Sequence, residues 1–280
     1  MTGEPQDKNP RLRVLRRSNR LAIGLLALAC SALPAAAQTD PPACRAVTTG
    51  QTNVLVELFT SEGCNSCPPA DHWLSALGKS PAVPGRVVPI AWHVDYWDYI
   101  GWKDRFAQAA FSARQHRLAQ IRRERVVYTP QMLLQGRDFR RWSLGGFDRL
   151  AADIQALPAR ARIALSISGR SNAGIDVAVE ARLLDPALRS APTAQALYIA
   201  ATASGLSTEV RAGENAGRRL AHDYVAFGWR GPIPFGPDGV LTQRHRLALP
   251  PAASAGVVAF VQSERTAEVV QALMLPVCPG

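Results

Sequence analysis

The segment Cys64-Asn65-Ser66-Cys67 constrains this chain more than any other. It follows an apolar run, Val54-Leu55-Val56-Glu57-Leu58-Phe59, and a short Thr60-Ser61-Glu62-Gly63 turn. Two thiols separated by two residues can close a disulfide within one turn of chain, and can trade that disulfide with a partner. Asp71 to Leu77 reads as a helix with Trp73, Leu74 and Leu77 on one face. The thiols therefore fall at a strand-to-helix junction, where such a pair is most informative. Pro68-Pro69 places the start of the regular helix after the pair, because a proline disfavours helical backbone in the residue before it.

The first 37 of 280 residues read as an export signal. Arg11, Arg13, Arg16, Arg17 and Arg20 form a basic region, Leu21 to Leu33 an apolar one, and Ala35-Ala36-Ala37 a cleavage site near Ala37. No later stretch holds the ~20 apolar residues of a membrane-spanning helix. The expected mature product is soluble and periplasmic or secreted. Lys8 and the five arginines, set against Glu4 and Asp7, account for four of the ten net positive charges, leaving +6. The remaining arginines are scattered apart from Arg122-Arg123-Glu124-Arg125, so no nucleic-acid partner is expected. Cleavage also removes Cys30. Cys44, Cys64, Cys67 and Cys278 remain, an even number that fits two disulfides in an oxidising compartment. Cys44 and Cys278 stand at the two ends of the mature chain, where termini often meet.

Residues 38–51 form a polar, Pro-rich lead-in. Val54–Phe59, Arg86–Val94 and Gln131–Leu134 read as strands, and Phe139–Trp142 as a short returning strand. Asp104–Arg125 reads as one or two helices and Phe147–Leu157 as an amphipathic helix. The expected architecture over residues 52–158 is an α/β layer, one sheet with helices on both faces. After Pro158 the pattern changes. Arg162–Ser168, Gly174–Leu183, Gln195–Ala203, Tyr224–Trp229, Val240–Leu249 and Gly256–Gln262 alternate apolar and polar residues between turn signals. This predicts a separate, small antiparallel sandwich-like β domain over residues 159–280.

The motifs ELFTSEGCNSCPPAD, AWHVDYWDYIGWKDRFA, VYTPQMLLQG and GENAGRRLAHDYV make the chain resemble the thioredoxin-like superfamily. More closely, it resembles an exported bacterial family of unassigned function, the domain of unknown function 1223 (DUF1223). The resemblance implies a thioredoxin-like domain and a redox role, with protein or small-molecule thiols and disulfides as partners and no cofactor. Cys64 would be the nucleophile and Cys67 the resolving thiol. Thr129-Pro130 resembles the superfamily's cis-proline site, with the Thr129 backbone free to pair with a substrate peptide. Glu57 resembles the buried carboxylate behind the thiols and would accept a proton from Cys67. Two alternatives stay open. Cys64, Cys67 and His93 could hold Cu(I) or Zn, or the pair could be a static staple in a non-catalytic binding module. Gly213–Arg219 reads as a turn between strands that either docks on the first domain or offers Arg218 or Arg219 to a partner carboxylate.

Overall fold

The computed structural model describes residues 44–77, 86–171, 174–250 and 254–278. The basic leader, its cleavage site and residues 38–43 of the lead-in lie outside the described residues. In chain order the elements are β1 (Cys44–Val47), β2 (Val54–Thr60), α1 (Pro68–Leu77), β3 (Val87–His93), α2 (Ala109–Arg122), β4 (Gln131–Leu134), β5 (Arg137–Asp138) and α3 (Phe147–Gln155). They continue with β6 (Ala161–Ser171), β7 (Gly174–Leu183), α4 (Pro186–Arg189), β8 (Gln195–Ser204), β9 (Leu206–Glu209), β10 (Arg219–His222), β11 (Val225–Pro234), β12 (Val240–Leu247), β13 (Ser254–Ser263) and β14 (Val269–Pro276).

The largest sheet has eight strands in the order β14-β13-β8-β11-β3-β2-β4-β5. This overturns the expectation of an α/β thioredoxin-like domain followed by a separate all-β domain. The sheet takes strands from both sides of Pro158, and the described chain is predominantly β. The physical reason lies in β3, VVPIAWH, which is buried along its whole length and pairs in parallel with β2 on one side. Its other edge meets β11 at one register pair, Val225 with Ala91, where Ala91 donates its N–H to the Tyr224 carbonyl. Among the described residues that narrow parallel contact is the strand pairing that joins the two halves of the sheet, and hydrogen bonds such as Val269 N–H to the Gln135 carbonyl add to it. From there β11, β8, β13 and β14 continue antiparallel.

Side-chain alternation assigns the two faces of this sheet. On one face, Leu55 and Phe59 of β2, Ile90 and Trp92 of β3, Tyr198 of β8 and Phe260 of β13 form a core with Phe111 and Leu118 of α2. On the other, Val54, Val56 and Leu58 pack against Leu74 of α1 and Phe147 of α3. Farther along, Leu197, Ile199, Val257 and Leu273 meet Ile163, Leu165, Val177 and Val179. The last four belong to a second, four-stranded antiparallel sheet, β1-β6-β7-β12. Cys44–Val47, expected in a loose lead-in, is its edge strand β1, paired with β6 from Cys44↔Ile167 to Val47↔Ala164. Cys44 and Cys278 form a disulfide that ties this edge to the chain just after β14.

Two local expectations also change. Helix α1 begins at Pro68, because the first helical turn needs no N–H donors and tolerates both prolines. The returning strand is only Arg137–Asp138, and residues 142–144 form a 3₁₀ turn instead. Among the described residues, no helix is long and apolar enough to cross a membrane.

Candidate functional site

Cys64 and Cys67 are joined by a disulfide, with Cα atoms 5.5 Å apart. The Cys67 carbonyl accepts from the N–H groups of Ala70 and Asp71, so Cys67 stands immediately before the first turn of α1. Both sulfur-bearing residues, including the expected nucleophile Cys64, are completely buried, while Asn65 and Ser66 between them are exposed. The bridge thus lies just beneath a surface loop.

The cover over the bridge comes from the loop between β9 and β10. Asn215, fully buried, donates through Nδ2 to the carbonyls of Glu62 (2.8 Å) and Cys64 (2.9 Å). Its Oδ1 accepts from Arg218 Nη1 at 2.8 Å. Glu214 Oε2 accepts from the Asn65 N–H at 3.1 Å. Gly213 has φ +73°, and a Cβ there would sit 3.1 Å from Ile100 Cδ1, so both the left-handed turn and the close approach require glycine. The segment therefore docks on the cysteine turn. Its arginines are engaged within the chain, since Arg218 braces Asn215 and Arg219 bonds Ser207 and pairs with Glu209.

Trp97 also packs on the turn. A Cβ on Gly63 would lie 3.0 Å from Trp97 Cβ, and the Trp97 indole N–H donates to Thr129 Oγ1 at 2.7 Å. The Thr129–Pro130 peptide is cis. Pro130 leads into β4, whose Gln131 registers with Phe59, and it lines an open cleft of about 730 Å³ with Tyr128, Met132, Arg140 and Trp142. Trp97 is therefore the side chain that connects Thr129 to the cysteine turn.

Glu57 is not brought to the thiols. It shares the face of Leu55 and Phe59, directed at α2, whereas α1 packs on the opposite face. There it accepts from Trp92 Nε1 (3.0 Å) and from Arg114 Nε (3.1 Å) and Nη2 (2.6 Å). A carboxylate committed to a buried guanidinium is an ion-pair partner, not a proton acceptor for Cys67. Sequence reasoning missed Arg114, because a buried arginine interrupts the apolar stripe that marks a helix face.

His93 likewise joins other partners than the sulfurs. Its Nδ1 lies 2.7 Å from Asp104 Oδ2, and its ring meets the rings of His222 and Phe106. His222, at the end of β10, stands between two acids, with Nε2 3.3 Å from Glu62 Oε1 and Nδ1 3.9 Å from Asp71 Oδ1. Neither nitrogen is in a formed hydrogen bond, and neither are His93 Nε2 and Glu62 Oε1. Asp71 Oδ2 accepts from Thr60 Oγ1, Glu62 Oε2 accepts from the Trp102 indole N–H, and Asp104 Oδ2 accepts from the Glu62 N–H. All five side chains are more than nine-tenths buried. Burial works against a charged His222, but Asp71 and Glu62 outweigh it and push the imidazole up to about 9. Burial also works against the Asp104 carboxylate, yet His93 and the backbone donors of Glu62 and Phe106 hold it below its ordinary value. Of this cluster only His93 was singled out as a candidate ligand in the sequence. The sequence signals for the others are Glu62 in the turn, Asp71 in the first helical turn, and His222 three residues after the Gly213–Arg219 segment.

A family model described as "Protein of unknown function (DUF1223)" matches residues 55–262. No curated protein matches. Among solved structures, the chain is similar to protein AGR_C_4864 from Agrobacterium tumefaciens at 24% identity, covering 81% of this chain and 96% of that one, with a TM-score of 0.56. It is also similar to HBP35 of Porphyromonas gingivalis at 15% identity, covering 81% of this chain and 76% of that one, with a TM-score of 0.61. At these identities the likeness concerns the fold alone.

Proposed function

The chain belongs to the DUF1223 family, and on that premise we propose that it is an exported thiol–disulfide exchange protein acting through Cys64–Cys67, with protein or small-molecule thiols and disulfides as its partners. The observation that carries this reading is the size of the ring the bridge closes. A cross-link with a sequence separation of 3 removes little freedom from the unfolded chain, on the order of 2 kcal/mol by loop closure. The Cys44–Cys278 bridge, with a separation of 234, already ties the chain ends. The short bridge is thus a poor staple, and its place before the first turn of α1 suits a thiolate. Two disulfides that together pair Cys44, Cys64, Cys67 and Cys278 support an oxidising compartment.

In the oxidised protein, a partner thiolate attacks Cys64 Sγ, forms a mixed disulfide and releases the Cys67 thiolate. A second partner thiolate then attacks the partner sulfur of that mixed disulfide and releases the Cys64 thiolate. The partner leaves oxidised, and two electrons remain on the cysteine pair. Run in reverse, the reduced pair reduces a partner disulfide.

The test is to treat the folded protein with a millimolar dithiol, quench with an alkylating reagent and weigh the product. Cys64 and Cys67 should each take one alkyl group, and Cys67→Ser should trap a mixed disulfide on Cys64. A pair that stays oxidised under those conditions would sink the proposal.

A second reading rests on the complete burial of both sulfurs. In it the bridge is a fixed staple and the protein a non-catalytic binding module. The two readings part at Asn215, whose two donor bonds hold the cover in place. If the cover opens for exchange, Asn215→Ala removes two buried hydrogen bonds worth about 1 kcal/mol each. Opening is then favoured enough to speed reduction of the bridge roughly 30-fold. Stopped-flow reduction of the two proteins, with melting curves to confirm comparable folding, measures this. An unchanged rate favours the staple.

A further inference from the structure

We propose that Asp71, His93 and His222 form a buried binding site for a divalent transition ion of the zinc class, with Asp104 and Glu62 as the carboxylates that orient the two imidazoles. One ligand atom from each of the three residues lies within 4.8 Å of the others. Three atoms that close always have a point within about 2.8 Å of all of them, so side-chain shifts of under about 1 Å reach the bond lengths that zinc makes to nitrogen and oxygen.

The hydrogen bonding shows which atoms are left to bind. A metal-ligating histidine almost always gives its other ring N–H to a carboxylate or carbonyl, which fixes the tautomer. Asp104 Oδ2, 2.7 Å from His93 Nδ1, does this for His93 and leaves Nε2 with a free lone pair in a fully buried position. Glu62 Oε1, 3.3 Å from His222 Nε2, stands where it does the same for His222 and leaves Nδ1 on the side of Asp71. Asp71 turns one oxygen to the Thr60 hydroxyl, and its other oxygen faces His222. Three ligand atoms on three elements, α1, β3 and β10, thus converge with their outer partners already in place.

Charge makes the same case. Glu62, Asp71 and Asp104 are three carboxylates buried in one cluster, and among the described residues the only basic side chains paired with them are the imidazoles of His93 and His222. Three buried anions outnumber those two imidazoles, and a site that binds metal through the rings has to replace any proton charge they carry. A divalent ion supplies two positive charges at the one point all three ligands reach. Two imidazoles and one carboxylate suit zinc better than calcium or magnesium, which prefer all-oxygen sets. A groove of about 380 Å³ between α1 and β10 is lined by both Asp71 and His222 and gives an ion a way in. The site uses neither thiol, so it stands or falls apart from the exchange proposal.

The test uses the untagged chain with both disulfides intact, so that no thiolate competes for metal. After chelator treatment and dialysis, titration with Zn²⁺, and with Co²⁺ as a visible-absorption probe, should saturate at one equivalent per chain and raise the melting temperature. His93→Gln and His222→Gln should lose stoichiometric binding. Glu62→Gln, altering only an orienting carboxylate, should weaken it 10- to 100-fold. Should the histidine variants fail to fold, Asp71→Asn, which can still accept from Thr60, serves in their place and should also lose binding. The proposal is overturned if the folded native chain takes up no stoichiometric Zn²⁺ or Co²⁺, or if Asp71→Asn binds as tightly as the native chain.

Discussion

Replacing Arg114 with methionine is expected to cost about 3–5 kcal/mol of folding stability, because it leaves the Glu57 carboxylate buried without its countercharge. The position of Arg114 makes this more than a local loss. Its Nη2 donates to Glu57 on β2 (2.6 Å) and to Gln262 on β13 (3.1 Å). Its guanidinium carbon lies 4.8 Å from the Tyr198 ring centroid, 5.0 Å from Phe260, 5.4 Å from Trp92 and 5.7 Å from Trp229. Those contacts come from β2, β3, β8, β11 and β13, on both sides of the narrow β3–β11 junction. One side chain on α2 thus spans the place where the sheet has least backbone pairing. Equilibrium denaturation of Arg114→Met, Glu57→Gln and the double variant measures the effect. The double variant should recover much of the loss, since it removes the charge and its partner together. A single-variant cost below about 1 kcal/mol would mean that the pair contributes nothing of note.

Removing the Cys44–Cys278 bridge, as Cys44→Ser with Cys278→Ser, is expected to cost about 5 kcal/mol, since the cross-link closes nearly the whole described chain. By the usual scaling for a domain of this size, the melting temperature should fall by roughly 10–20 °C. The loss should be felt first where the bridge acts, at the edge strand β1, which pairs only with β6. Hydrogen exchange of residues 44–47 should therefore accelerate more than that of β2 or β3. A loss under about 1 kcal/mol would show that sheet packing alone fixes the chain ends.

Much of the local structure is legible in the sequence, and the physical reasons for success and failure differ by element. The strands β6, β7, β8, β11, β12 and β13 announce themselves by apolar–polar alternation between turn signals. β2 and β3 do so by continuous apolar runs, the mark of strands covered on both faces. β14, VVQALMLP, is an equally apolar run at the chain end that went unread, and it forms an edge of the large sheet. What sequence could not supply was which strand fills the free edge of β3. That depends on β11, more than a hundred residues later, and no local pattern records the pairing. The same limit applies to the site. The C-x-x-C and Thr129–Pro130 are contiguous motifs and were found. The cluster of Glu62, Asp71, His93, Asp104 and His222 exists only once β10 lies beside α1, so its members looked like scattered polar residues. Glu57 was noticed as a lone charge in an apolar strand, but its partner could be identified only after α2 was laid across the sheet.

The free edge of β3 has a further consequence while the chain is being made or delivered segment by segment. Until residue 225 emerges, β3 presents an open row of backbone donors and acceptors flanked by apolar side chains, which is a template for pairing with another molecule. The first half therefore cannot be safely left to itself, and a nascent chain interrupted between Pro158 and Val225 should be the aggregation-prone species of this protein.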